Sequence, residues 1–145
     1  MIQMLTQKRI GYLCTAGYKN RPHVTPIFCI YDQKMHKMYF QANINSKKIR
    51  DIQKNPKVSL TVDTRDIINP FNNEGVMVQG TAEIVEGGLR KALSEDMGIA
   101  LDVFMEKFYA IAIKGRPAEK VTVRINIKKT VYWRGPKFTS VSCDV

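Results

Sequence analysis

The sequence predicts an α+β fold, a mainly antiparallel six-stranded β-barrel with short flanking helices, in a single domain covering residues 1–145. Three observations predict it. Apolar runs rich in β-branched and aromatic residues follow one another at close spacing. Helical periodicity is confined to inserts between them. The regular strand–helix alternation of a doubly wound parallel sheet is absent. With 145 residues and 44% hydrophobic composition, the chain can bury one core and is too apolar to stay disordered.

Each element has its own signal. Residues 3–8 read as a short starting helix. RIGYLCTA alternates loosely in apolar character, GYKN supplies a turn, and PHVTPIFCIYD is a longer β-branched and aromatic run, so the two runs pair as a hairpin. Pro26 interrupts the second run. Proline has no N–H to donate, which places it at a sheet edge, at a bulge, or where backbone faces a ligand. After the turn QKMHK, KMYFQA is a third strand. Ser46 is the expected N-cap of KKIRDIQK, a helix of about two turns with Ile49 and Ile52 on one face, ended by Asn55-Pro56.

KVSLTVD is a fourth strand, TRDIINPFNNEG a polar loop, and VMVQGTAEIVE a fifth strand in which Gly80 marks a bulge or a close approach. In GGLRKALSEDMGIALDVFMEKF, Leu89, Ala92 and Leu93, then Leu101, Phe104, Met105 and Phe108, recur at helical spacing around a break near Gly98, as two short helices would. IKGRPAEK is a loop. VTVRINIKKTVYW alternates Val121, Val123, Ile125 and Ile127 against polar neighbours, giving one long or two short final strands.

Composition removes several function classes. Neither GxGxxG, a Walker-type GxxxxGK[ST], nor GxSxG occurs. Two histidines, His23 and His36, are too few for a zinc cage of local spacing and leave little for a hydrolytic triad, so no metal is expected. Cys14, Cys29 and Cys143 are odd in number without CxxC spacing, as reduced thiols would be. No apolar run approaches the roughly 20 residues of a membrane span, and no leader pattern opens the chain, so a cytoplasmic protein without membrane contact is expected. Glu83, Glu86, Glu95 and Asp96 are assigned no role, and the catalytic residues are left unassigned.

The charge is more informative. Lys plus Arg number 23 against 13 Asp plus Glu, a formal +10, which attracts phosphates, nucleic acid or acidic surfaces. Its dense part is Lys47, Lys48, Arg50, Lys54 and Lys57. In NSKKIR, the free backbone N–H groups of a helix start favour an anion, Ser46 adds a hydroxyl, and Lys47 and Lys48 add point charges. The plainer reading is that Ser46 caps the helix and the lysines face water.

The order of these blocks decides between the two readings. GYKNRPHVTPIFCIYD, then KMYFQANINSKKIRDIQKNPKVSLTVD, then GVMVQGTAEIV, resembles the FMN-binding split-barrel family related to pyridoxamine 5'-phosphate oxidase. The resemblance runs from Ile10 to about Val85 and weakly through VTVRINIKKTVYW; its most specific parts are RPHVTPI and S-K-K-I-R-x-I-x-x-N-P-x-V behind YFQAN. It implies a split barrel that pairs into a homodimer, with FMN in the clefts at the subunit interface. It further implies that Ser46, Lys47 and Lys48 hold the cofactor phosphate, that Val24, Thr25, Pro26 and Ile27 run along the flavin ring, and that Gln41 and Ala42 touch the cofactor.

Departures limit what carries over. The oxidase proper has an arginine-rich C-terminal segment that grips its substrate's phosphate, whereas VYWRGPKFTSVSCDV holds Arg134 alone, which speaks against vitamin B6 oxidation. Three classes remain open. The first is an FMN-dependent oxidoreductase acting on a small molecule by hydride or electron transfer at the expense of NAD(P)H, with a mobile INPFNNEG loop shaping access and a deazaflavin as the alternative cofactor. The second is a flavin- or heme-binding module without turnover. The third, ranked last, is a nucleic-acid-binding barrel, because the lysines cluster at one helix instead of along a groove of stacking residues. His23 and Trp133 are not assigned to the site.

Overall fold

The computed structural model describes residues 1–94 and 119–142. The second of the two helices expected after Gly87, together with Glu95, Asp96 and Cys143, lies outside the described residues. Among the described residues seven strands form one antiparallel sheet: β1 (Ile10–Ala16), β2 (Pro22–Asp32), β3 (Lys37–Asn43), β4 (Lys57–Thr64), β5 (Glu74–Val85), β6 (Lys120–Arg134) and β7 (Lys137–Ser142). Three short α-helices accompany them among the described residues, α1 (Ile2–Gln7), α2 (Lys47–Lys54) and α3 (Gly88–Ala92). The strand order is β3-β2-β1-β4-β5-β6-β7, and a further β3–β6 ladder, from Lys37↔Asn126 to Asn43↔Lys120, closes the first six strands into the expected barrel.

Period-two patterning builds the interior. Leu13, Val58, Leu60, Val62, Val76, Val78, Val123, Ile125 and Ile127 all point inward, each 6% exposed or less. Each such side chain contributes about 1.5–3 kcal/mol on burial. The two ends are plugged separately. α1 buries Met4 and Leu5 against β2, β4 and β5, and α2 buries Ile49 and Ile52 against β1 and β3.

Gly80 marks the expected bulge. The β5–β6 register passes from Gln79↔Lys129 to Gly80↔Ile127, so Lys128 is the extra residue. Both Lys128 and Lys129 therefore face solvent, and Thr130 and Tyr132 take over the inward positions. A Cβ on Gly80 would collide with the backbone carbonyl of Asn126, so the close approach requires glycine.

β7 is absent from the sequence reading. It follows a tight turn with Gly135 at φ 54° and pairs with β6 from Arg134↔Lys137 to Lys129↔Ser142. All six of its residues are exposed. Without an inward face it carries no alternating apolar signal.

Among the described residues the barrel wall opens between β2 and β3. β2 pairs with β1 from Pro22 to Phe28, but with β3 only from Cys29 to Asp32, and Gln41–Asn43 of β3 pair with β6 alone. Cys29 N donates to Arg9 O toward β1 at 2.7 Å. Strand alternation then turns the backbone positions of residues 22, 24 and 26 to the open side. Pro22 and Pro26 thus stand where no ladder donor is needed, and the edge reading of Pro26 holds. Nearby, burial pushes the Cys29 thiol up to about 12 against the opposing charge of Arg9, which makes it an inert core residue. No helix among the described residues is long and apolar enough to cross a membrane.

Candidate functional site

The split between β2 and β3 leads to the start of α2. Ser46 is the N-cap by backbone, at φ −70° and ψ 155°, and its carbonyl accepts from Arg50 N at 3.2 Å. Its side chain does not cap. Ser46 Oγ is buried and has no hydrogen-bond partner, and no side chain caps the first N–H groups of α2. An enclosed hydroxyl beside free backbone donors is a place for an acceptor-rich group.

The two lysines that follow behave differently. Lys48 is half-buried and forms no ion pair among the described residues. Lys47 Nζ reaches Asp51 Oδ1 at 3.0 Å and Oδ2 at 3.1 Å. Asp51 is 4% exposed and also accepts from Thr15 Oγ1 at 2.8 Å through Oδ2. Burial alone would push its carboxyl up, but hydrogen bonds from Lys47 and Thr15, with the charges of Lys47 and His23, hold it below the usual carboxylate range. His23 sits opposite Thr15 on β2, half-buried, and its Nδ1 is enclosed without a partner. A Cβ on Gly17 would collide with the Asp51 carboxyl, so the turn after β1 closes tightly over it.

The remaining sequence candidates divide between faces. Val24, 60% exposed, and Pro26 point outward from β2, whereas Thr25 and Ile27 point inward, with Ile27 6% exposed. On β3, Gln41 is exposed and donates from Nε2 to Thr122 Oγ1 at 3.4 Å, and Ala42 is buried. Ser46, Lys47 and Lys48 gather at the α2 start, and Val24–Ile27, Gln41 and Ala42 border the split beside it. Asp51, Thr15 and His23 belong to the same neighbourhood and are absent from the sequence-derived set. Asp51 is buried along with Ile49 and Ile52, although it stands two residues from Ile49 and off the face that Ile49 and Ile52 share, so the helical period gave no signal of its burial.

Three further features complete the surface, and one of them, a groove, shares Thr15 with the site. The TRDIINPFNNEG loop is knit by Asp66, whose Oδ1 accepts from Ile68 N at 2.9 Å and Asn69 N at 3.0 Å and whose Oδ2 accepts from Asn72 Nδ2 at 3.2 Å. Beside its exposed polar residues Arg65, Asn69 and Asn72 it also presents apolar ones, with Ile67 fully exposed and Ile68 94% exposed. A shallow groove of about 470 Å³ crosses the outside of the barrel beside the bulge, with Lys57, Lys128 and Lys129 among its lining residues, and none of the sequence candidates borders it. Trp133 lies over Gly75 and 6.0 Å from the ring of Phe138 on β7.

Comparison with known proteins places this geometry in context. A family model described as pyridoxamine 5'-phosphate oxidase matches residues 1–134. A heme binding protein from Mycobacterium smegmatis has TM-score 0.69 at 15% identity, covering 97% of this chain and 55% of that one. A FAD-binding protein from Mesorhizobium loti has TM-score 0.64 at 25% identity, covering 89% and 86%. General Stress Protein 26 from Bacillus anthracis has TM-score 0.63 at 21% identity, covering 97% and 95%. A comparison with curated proteins found no match.

Proposed function

Because the chain belongs to the pyridoxamine 5'-phosphate oxidase family, we propose that it is an FMN-binding oxidoreductase, a homodimer holding the cofactor at the subunit interface and acting on a small molecule with NAD(P)H as donor. The observation that carries this reading is Ser46 Oγ, buried and unpartnered at an uncapped helix start beside Lys48. The residues fit the group. A phosphate monoester offers the acceptors that Ser46 and the first N–H groups of α2 lack, and Lys48 supplies charge. Gln41 and the open edge of β2, with Pro22 and Pro26, leave polar contacts and unladdered backbone for the ring.

Bound there, the flavin would supply hydride or electron transfer, and the chain would bind and orient it. Ser46 would donate to or accept from the phosphate, Lys48 would balance its charge, and the apolar wall at Ile27 and Ala42 would exclude water from the inner side of the split. Support for the dimer comes from outward apolar side chains that a single copy leaves bare: Ile10 at 61%, Tyr12 at 44%, Phe138 at 68% and Val141 at 50% exposure.

The test is the absorption spectrum of the purified protein, the mass of any released small molecule, and FMN uptake by the parent and by Lys47→Ala with Lys48→Ala. Flavin bands, a released mass of FMN and a double variant that stays folded but empty support the reading. Parent protein that refuses FMN, or releases a deazaflavin or heme, overturns it.

A further inference from the structure

Among the charged residues of α2, Asp51 alone is buried. A buried carboxylate is costly unless paired and hydrogen-bonded, and this one is both. Thr15 Oγ1 fixes Oδ2 at 2.8 Å, and Lys47 Nζ lies 3.0 and 3.1 Å from the two oxygens. Gly17 packs against the carboxyl with no room for a Cβ, so the turn after β1 encloses the group beside these partners. An ammonium has three N–H donors. The two carboxylate oxygens account for two of them.

We propose that Asp51 is a positioning residue: anchored by Thr15, it holds the Lys47 ammonium at the start of α2 so that one N–H remains for an incoming phosphate monoester. The proposal rests on the flavin reading above and assigns Lys47 and Lys48 different tasks. Lys48 brings a charge that no carboxylate among the described residues pairs. Lys47 brings a fixed donor of partly neutralised charge, which favours a shaped phosphate over a diffuse polyanion. A lysine free to wander would be ordered only on binding, and that ordering lowers affinity.

The experiment uses the full chain and two probes, FMN and riboflavin, which share a ring and differ by the phosphate. Flavin-fluorescence quenching measures both dissociation constants for the parent, Asp51→Asn and Thr15→Val, with thermal melts run in parallel. Asp51→Asn is expected to weaken FMN by about tenfold or more while leaving riboflavin unchanged, and Thr15→Val to do the same by a smaller factor. In a Lys47→Ala background, Asp51→Asn should then add nothing. Equal weakening of both probes would make Asp51 merely structural, and tighter FMN binding would make it a charge that opposes the phosphate; either result overturns the proposal. If Asp51→Asn does not fold, Thr15→Val decides by the same FMN-to-riboflavin ratio. A parent that binds riboflavin and FMN alike, or neither, marks instead the failure of the cofactor reading itself.

Discussion

At Asp51 the carboxyl stays below the usual range in spite of burial, and its contribution to stability follows from that direction. A group whose folded value is depressed contributes fully above its unfolded value, about 3.9 for Asp, and loses the contribution as pH falls through the lower folded value. Urea unfolding at neutral pH should therefore show a stability gap between the parent and Asp51→Asn that narrows on acidification below about pH 4. A gap that does not depend on pH would contradict the pairing. Gly80→Ala makes a different demand, forcing a Cβ into the Asn126 carbonyl, and is expected to cost about 2 kcal/mol or more in the same assay. Residue roles were legible where local rules apply. Ser46 reads as a helix start because small polar residues terminate helices, yet its hydroxyl does not cap, a departure visible only once burial is known. Thr15 meets Asp51 across 36 residues of chain, a contact that no local spacing encodes.

Among the elements, β6 and β7 differ in what they reveal. β6 declares itself through Val123, Ile125 and Ile127, because one of its faces meets the core. β7 has solvent on both sides in a single copy, so its sequence KFTSVS obeys no core period. A strand of this kind draws its cohesion from whatever covers it. Phe138→Asp is expected to shift sedimentation from dimer to monomer and to reduce FMN retention, with little change in the melting of the barrel. A variant that remains dimeric and flavin-loaded would remove β7 from the proposed interface. The strand pattern also carried the Gly80 bulge, since a glycine inside a β-branched run weakens the strand unless it serves a bend or a close backbone approach.

For the molecule as a whole, closure depends on one long-range ladder, β3 with β6, and β5 shares the same partner. A fragment of residues 1–94 would leave β3 and β5 with bare edges, and circular dichroism should find it unfolded, whereas the full chain is expected to unfold in one cooperative transition. A folded fragment would show that the other ladders suffice. The barrel class was readable because strand count and spacing are properties of the whole chain. The β3–β6 closure was not, because nothing in either strand names its partner. The open edge of β2 has one more consequence. An unpaired strand edge recruits other extended chains and seeds fibrils, and among the described residues no strand pairs with this edge from Pro22 to Ile27. Pro22 and Pro26 leave two of its outward backbone positions without donors, so a stray strand finds no continuous ladder to join. The gap in the wall is thereby protected against edge-to-edge pairing, and replacing both prolines with valine is expected to restore two donors and raise fibril formation, measured by thioflavin fluorescence.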